Sequence, residues 1–315
     1  MIKNCLSLSA LCLALTALTS LTASADDFPS RPIKVVVPFA AGGQGDVMAR
    51  LIVQKIEEKN LLPQPITILN VPGGGGSIGI RQVKNSDPDG HTLLYLHETL
   101  MTNHLQGHIE FGYDAFTPVA ETNYACLATA TARDGDIQNA QEWISQLEAE
   151  PGGVKEATLI GSVAHYTTEM LAQEAGVKVG IVNVGGGADR IASLLGHHTK
   201  TAVVVPSAIV RNQDLQGLIY YGDNRNEMIP DVPTAKEFGY DVVSCLNNVW
   251  WAPSGTPESA VEKLQNAFSQ ALQDPELVEA IKQRGDTPIY LEGEELEQHL
   301  RDVYRRLEEV SSRIK

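Results

Sequence analysis

The stretch Pro38-Phe39-Ala40-Ala41-Gly42-Gly43-Gln44-Gly45-Asp46 separates an apolar run, Ile33–Val37, from an amphipathic segment over residues 46–59. The apolar run predicts a buried β-strand, and the helical spacing of Met48, Ile52 and Ile56 predicts an α-helix. Glycines let the backbone turn tightly and let a ligand approach it closely. We expect Asp46 to cap the helix, so that the remaining N–H groups and the helix dipole form a site for an anion.

The composition is typical of a globular protein with room for two domains. The chain has 315 residues, of which 43% are hydrophobic and 20% are charged, and its formal net charge is −15. This acidity argues against nucleic acid or an anionic membrane surface as a partner. An anionic ligand must therefore be held by local N–H groups and dipoles, because the overall charge repels it.

The first 25 residues have the pattern of a cleaved signal peptide. Lys3 is followed by an apolar run and then by Ala23-Ser24-Ala25, a small-residue cleavage site. We expect an exported, soluble protein with no other segment that spans a membrane. Two cysteines remain after cleavage, Cys126 and Cys245, and in an oxidising compartment they form either a disulfide or two buried thiols.

Strand-like and helix-like segments alternate along most of the mature chain. Further glycine-rich loops follow predicted strands at residues 72–77, 161–162 and 185–187, and one long strand is expected over 117–131. Such alternation predicts mostly parallel sheets with helices on both faces. The change of pattern near residues 120–126 and 219–225 indicates a chain that builds part of one domain, crosses to a second and returns.

These landmarks resemble the tripartite tricarboxylate transporter receptor family, also called the Bug family of extracytoplasmic solute-binding proteins. Each motif is weak alone, but their order after a signal peptide is specific to that family. The matching stretches run from Pro29 to Ile33 and Val37 to Gly43, with Asp46, Ala49-Arg50, Asn70, Pro72 to Gly76, Pro88-Asp89-Gly90, Thr92 to Leu94, Gly161-Ser162, His165, Gly185 to Gly187, Leu194 to Gly196, Val232-Pro233-Thr234, Glu237, Gly239 and Trp250 to Pro257.

The resemblance implies an α/β, type II periplasmic-binding-protein fold, with two domains joined by a two-crossing hinge and the ligand cleft between them. Residues 26–123 and 223–315 would form domain 1, and residues 124–222 domain 2. It further implies a monomeric, non-enzymatic periplasmic receptor without metal or cofactor. Its ligand would be a di- or tricarboxylate or an aromatic acid, delivered to the permease subunits of a tripartite membrane transporter or used in sensing without uptake.

By the same resemblance, ligand-contacting residues lie on loops from both domains. The expected set is Phe39, Ala41, Gly42, Gly43, Gln44, Gly75, Gly76, Ser77, His97, Glu98, Thr99, Ser162, His165, Gly185, Gly186, Gly187 and Ser207. Departures from the family pattern stand beside this set. Gly45 replaces a hydroxyl residue, Val71 replaces an arginine, and Asn183-Val184 replaces a Pro-Tyr pair, which leaves the identity of the ligand open.

Three other chemistries are formally compatible with parts of the sequence. Residues 74–79 match G-x-G-x-x-G, with Glu98 near the position of a ribose-binding acid, so a nicotinamide-dependent oxidoreductase is a formal alternative. His97, His104 and His108 lie in one short stretch, but their spacing matches no usual zinc pattern and favours solvated loop residues. His165 follows Ser162 too closely for a hydrolytic pair, and contacts a ligand or makes a hydrogen bond at the helix start.

Overall fold

The structure is a computed structural model that describes residues 28–312 and 314. The expected signal peptide lies outside these residues. The helices and strands follow in chain order: β1 Ile33–Val37, α1 Gln44–Glu58, β2 Ile66–Asn70, α2 Ser77–Lys84, β3 Thr92–Leu96, α3 Thr99–Leu105, β4 Phe116–Cys126, β5 Ala128–Ala132, α4 Ala140–Ala149, β6 Lys155–Thr158, α5 Val163–Ala175, β7 Gly180–Asn183, α6 Gly187–Leu195, β8 Thr201–Val204, α7 Pro206–Arg211, β9 Leu215–Tyr220, β10 Cys245–Pro253, α8 Glu258–Leu272, α9 Pro275–Lys282, β11 Thr287–Leu291 and α10 Gly293–Ser311.

Two mixed sheets organise these elements, as the alternating pattern predicts. The first has the strand order β11-β4-β10-β3-β1-β2, in which β1, β2 and β3 are parallel. The second has the order β7-β6-β8-β5-β9, in which β6, β7 and β8 are parallel. Both sheets carry helices on both faces, which explains why strands such as β1 are buried almost throughout.

The chain crosses between the sheets at the same edge of each. Cys126 of β4 pairs with Cys245 of β10, and a disulfide joins the two residues. Next to it, Leu127 N–H donates to Ser244 O, Ser244 N–H to Tyr221 O, and Tyr221 N–H to Leu127 O, at 2.9, 2.9 and 2.8 Å. Strand direction places these crossings at the carboxyl ends of the parallel strands in both sheets. The two carboxyl edges therefore face each other across the crossing segments.

The tryptophan pair lies in the core, and several elements of the fold differ from those predicted from the sequence. Trp250 and Trp251 are both fully buried, on opposite faces of β10, where they fill the core on each side of the first sheet. The long strand expected over 117–131 is two strands, because the chain leaves the first sheet at Cys126 and enters the second at Ala128. Three elements lie where no regular structure was predicted: α3, α7 and β11.

Candidate functional site

The loop after β1 is held closed by its own hydrogen bonds. Gly42 has φ +80°, a conformation that favours glycine, and its N–H donates to Asp46 Oδ2 at 2.8 Å. Gly43 N–H donates to Ala40 O at 3.2 Å. The expected cap is therefore wrong in detail, because Asp46 bonds a residue before the helix and α1 begins at Gln44 without a side-chain cap. The N–H groups of the first turn, from Gln44 onward, have no acceptor within the helix.

Asp46 ties this loop to the neighbouring strand. Its buried carboxylate also accepts from Arg50 Nε at 2.9 Å and from Asn70 Nδ2 at 3.0 Å. Asn70 Nδ2 donates in addition to Phe39 O at 3.2 Å. Burial alone would raise the pKa of Asp46, but the bonds from Arg50, Gly42 and Asn70 outweigh it and hold the pKa below its ordinary value. The first loop is thus fixed by a charged, fully paired network.

The glycine loop after β2 comes next to this first loop. Gly73, Gly74, Gly75 and Gly76 all have positive φ, between 57° and 123°, so side chains are disfavoured along the whole turn. A Cβ placed on Gly76 would lie 3.5 Å from Thr99 Cγ2 and 3.7 Å from Pro38 Cβ. Asn103 Nδ2 donates to Gly75 O at 3.0 Å. The loops after β1, β2 and β3 are therefore brought together, with Ser77 buried at the start of α2.

Of the residues after β3, His97 contacts the first loop and Glu98 contacts β10. His97 stacks on Phe39, with ring centroids 5.7 Å apart, and burial lowers the pKa of His97 to about 4, so its imidazole is neutral at pH 7. It is not the solvated loop residue that was expected, and Thr99 lies in the first turn of α3 rather than in a loop. Glu98 points elsewhere, since its carboxylate accepts from Asn247 N–H at 3.1 Å and from Asn247 Nδ2 at 2.5 Å.

The position of Glu98 bears on the dinucleotide alternative. Burial raises its pKa to about 7, although bonds from Asn247 oppose that shift. A ribose-binding acid must be ionised and open to the ligand, whereas this carboxyl is buried and bonded to β10. The glycine pattern at residues 74–79 therefore lacks the acidic partner that the alternative requires.

The second sheet contributes the loops after β6 and β7. Ser162 caps α5, with its Oγ 3.4 Å from His165 N, and His165 Nδ1 accepts from Gly161 N–H at 3.2 Å. His165 therefore makes the helix-start hydrogen bond that was one of its two expected roles. Asn183 Oδ1 accepts from Ile160 N–H at 3.0 Å and joins the two loops.

The triple glycine forms the start of α6. Gly186 is the residue before the helix, and its N–H donates to Asp189 Oδ2 at 2.9 Å. Arg190 reaches back along this turn, so that a Cβ placed on Gly187 would lie 3.7 Å from its Nη2. Arg190 is not among the residues expected from the sequence, although a charged residue close to the start of a helix after a glycine loop is a visible signal.

Contacts between the two sets of loops occur at two places. A Cβ placed on Gly161 would lie 3.1 Å from Gln106 Cγ, and Gln106 Nε2 donates to the Tyr166 hydroxyl at 2.9 Å. A Cβ placed on Gly285 would lie 2.9 Å from Ser207 Cβ, which puts the start of α7 against the loop before β11. Ser207 is buried and accepts from Arg211 Nη2 at 3.3 Å. Two of the second-sheet segments expected to bind a ligand, at Gly161 and at Ser207, thus lie against segments attached to the first sheet.

A cavity of about 580 Å³ lies at the crossing strands, away from most of these loops. Of the expected site residues only Glu98 lines it, together with Glu121, His299 and residues of the segment after β9. Glu121 Oε2 and His299 Nε2 are 3.5 Å apart and buried. Burial, with the nearby Glu98 charge, raises the pKa of Glu121 to about 8, and burial also lowers the pKa of His299, so both groups favour their neutral forms.

Two further properties concern the described part of the chain only. Residues 28–312 contain no group of three or more His, Cys, Asp and Glu side chains placed to hold a metal ion. His104 faces the Tyr304 hydroxyl at 3.2 Å, and His108 is exposed. Within the same residues, no helix combines the length and the apolar character that crossing a bilayer requires.

Two α/β sheets whose carboxyl edges face each other across paired crossing strands define a solute-binding protein of the periplasmic type. Residues 48–315 match the family model described as tripartite tricarboxylate transporter family receptor. The chain belongs to this family, whose members are solute-binding receptors, as its sequence motifs indicated.

Relatives along most of the chain agree with this family. A Cupriavidus necator protein described as "UPF0065 protein in gbd 5'region" is 28% identical over 93% of this chain and 90% of its own. Protein BugT of Bordetella pertussis is 29% identical over 90% and 89%. The structure of MatC from Rhodopseudomonas palustris with bound malate is 27% identical, has a TM-score of 0.78, and covers 90% of this chain and 100% of that one.

Proposed function

We propose that this protein is a periplasmic receptor that captures a small carboxylate-bearing solute between its two sheets. The observation that carries the proposal is the convergence of glycine-rich loops from the carboxyl edges of both sheets, with helix starts at Gln44 and Gly187. Ligands of open α/β sheets bind at such edges. The malate bound to the related MatC protein supports a carboxylate as the ligand class.

The solute would be held mainly by backbone groups and by charge. The unpaired N–H groups at the start of α1 and the positive end of its dipole favour an anion. Phe39 and the neutral His97 supply a flat apolar wall beside them. Each hydrogen bond to a carboxylate contributes roughly 1.5–3 kcal/mol, so a few of them suffice for micromolar binding after ordering costs.

Closure would occur at the crossing segments. Ala235 and Val242 pack in the core of the second sheet. We therefore propose a hinge at Leu127 and Ser244, so that the second domain includes residues 223–244, which the sequence prediction had placed in the first domain. Solute would shift the open–closed equilibrium by binding the closed form better. The loaded, exported receptor would then dock on permease subunits made by other chains.

A thermal-shift screen of refolded protein, freed of bound solute, tests the ligand class. The panel contains mono-, di- and tricarboxylates, aromatic acids, phosphate esters, zinc and NAD. A ligand at a hundred times its dissociation constant adds about 2.7 kcal/mol of stability, which is readily seen as a higher melting temperature. A response to carboxylates supports the proposal, whereas a response to zinc or NAD alone contradicts it.

A blocking variant tests the location of the site. Gly186 has φ −70° and nothing lies within 4 Å of a Cβ placed on it, so Gly186→Phe adds bulk in front of α6 without strain in the fold. We expect the carboxylate affinity to fall at least roughly tenfold, because a ligand in a cleft is enclosed on most sides. Lys178→Phe is the matched control, since exposed Lys178 lies at the opposite end of β7. Equal affinities in both variants would contradict this location.

Transport and sensing are separated by a cell-based measurement. If the receptor serves uptake, deleting its gene abolishes accumulation of the radiolabelled solute found in the screen. Unchanged accumulation, with loss of a transcriptional response to that solute, would instead favour the sensing alternative.

A further inference from the structure

The guanidinium of Arg190 is partly buried without hydrogen-bond partners in the described part of the chain. Its Nε and Nη1 atoms are buried, yet neither has a hydrogen-bond acceptor among the described residues. No other arginine within residues 28–312 has buried guanidinium nitrogens left without acceptors. Removing a charged group from water without a partner is costly, so such a group requires an explanation.

The neighbouring carboxylates of Glu156 and Asp189 do not supply acceptors for the Arg190 guanidinium. Glu156 is fully buried and influences Arg190, but no ion pair within 4 Å joins the two residues. Both Glu156 oxygens already accept hydroxyls, Oε1 from Thr168 and Oε2 from Thr201. Asp189 is exposed and accepts from Gly186 N–H. Burial lowers the pKa of Arg190 to about 10, against the influence of Glu156 and Asp189, and the side chain is still charged at neutral pH.

The position of Arg190 aims the group at the loop in front of α6. As the fourth residue of α6, it has a Cα–Cβ bond tilted toward the helix start. Its Nη2 accordingly lies beside Gly187, where the absence of a side chain leaves the approach open. The N–H groups of the first turn of α6, which have no acceptor within the helix, favour the same kind of ligand atom.

We propose that Arg190 is a specificity-determining residue, which binds an anionic group of the solute from the second sheet with its planar N–H fork. This inference rests on the proposed function, because it takes the solute to lie between the facing loops. A planar fork suits a carboxylate in two-point contact. With the helix start of α1 on the opposite side, the receptor would select solutes that carry an anionic group at both ends.

Paired removal of charge from protein and solute tests the contact. Binding of succinate, malate and succinamate (succinate with one carboxylate replaced by a neutral amide) is measured by calorimetry in wild type, Arg190→Gln and Arg190→Lys. We expect Arg190→Gln to weaken the dicarboxylates roughly 10–100-fold and succinamate less than about threefold. Arg190→Lys should recover part of the loss, because it keeps the charge but not the fork.

Arg133→Gln is the matched control. It makes the same charge change in the same half of the protein, but Arg133 donates to the carbonyl oxygens of Gln213 and Leu215. If Arg190→Gln binds dicarboxylates as wild type does, or loses dicarboxylates and succinamate equally, the inference is overturned while the receptor function stands. If wild type binds no member of the carboxylate panel, the proposed function fails first and the inference fails with it.

Discussion

The two walls of the proposed cleft, at the starts of α1 and α6, each have an aspartate as the third helical residue and an arginine after it, but they use these residues differently. On the first wall, buried Asp46 accepts three hydrogen bonds and pairs with Arg50. On the second wall, exposed Asp189 accepts one hydrogen bond from Gly186, and Arg190 lacks acceptors for two buried nitrogens. The first wall completes its own polar network, whereas on the second wall two buried nitrogens have no acceptor among the described residues.

This difference has a consequence for how an acidic protein attracts an anion. With a formal net charge of −15, the overall field repels anionic solutes. Arg50 cannot compensate, because Asp46 neutralises it on the first wall. In the proposed site, Arg190 would supply a local positive potential, because its Nε and Nη1 have no acceptors among the described residues. The first wall would then provide fixed geometry, and the second would provide charge.

The largest predicted difference between the two walls is the loss of stability when Asp46 or Asp189 is replaced. Asp46→Ala removes three hydrogen bonds, so that the Gly42 N–H loses its acceptor and Asn70 Nδ2 keeps only its bond to Phe39 O. We expect the free energy of unfolding to fall by about 3 kcal/mol, since buried charged partners are costly to lose. Asp189→Ala, at an exposed position with one bond, should cost less than about 1 kcal/mol. Urea denaturation of both variants measures the difference.

The slope of the urea transition serves as an internal control here. If it is unchanged, the shift in midpoint reports stability and not a change in compactness. Equal losses in Asp46→Ala and Asp189→Ala would show that the first loop is not held by the Asp46 network.

The buried carboxyl at the crossing strands predicts a pH effect of intermediate size. The folded-state pKa of Glu121 is raised from 4.5 to about 8, so between these values the folded protein keeps a proton that the unfolded chain releases. The stability from this group is present at low pH and is lost as the pH rises toward 8. Glu121→Gln should reduce the fall in unfolding free energy between about pH 6.5 and 8.5, by up to about 1.4 kcal/mol per pH unit.

The pH range is chosen to exclude a shift of opposite sign. Burial lowers the pKa of His97 to about 4, and a base with a lowered pKa gains stability as the pH rises to 6.5 and contributes nothing above it. Glu294→Gln, at an exposed position on α10, is the matched control and should follow wild type. A wild-type slope in Glu121→Gln would mean that this carboxyl is ionised in the folded protein at neutral pH.

Local sequence patterns predicted the two-sheet α/β architecture because alternation and periodicity are properties of short segments. The apolar run of β1, the helical spacing of α1 and the glycine loops after β2 and β7 are all readable without knowledge of their neighbours. The expected site residues lie on facing loops for the same reason, because loops after parallel strands share one edge. The change of pattern along the chain indicated two crossings between domains, and the resemblance implied the type of fold and a ligand cleft between the domains.

Features that depend on tertiary contacts were missed. Helices α3 and α7 have seven and six residues, too short for a clear period, and α3 is helical because Leu100 and Met101 are buried against the first sheet. Strand β11 contains Pro288, and proline is tolerated in a strand at a sheet edge, where β11 lies. Asp46 bonded Gly42 instead of capping α1, and whether Arg190 has acceptors depends on residues distant in sequence.

The smallest predicted effect is that of replacing Ser162 on the second wall, and it separates a structural role of this residue from a role in binding. Ser162 caps α5 through His165 N–H at 3.4 Å, whereas α1 on the first wall has no side-chain cap. Ser162→Ala should lower the free energy of unfolding by about 1 kcal/mol, the usual value of such a cap. If Ser162 also contacts the solute, Ser162→Ala should in addition raise the dissociation constant of the carboxylate ligand by more than about fivefold. Ser162→Asp restores the cap of α5 but places a negative charge beside the anion. Recovery of stability together with still weaker binding in Ser162→Asp would identify a ligand contact, and recovery of both would leave Ser162 with the cap alone.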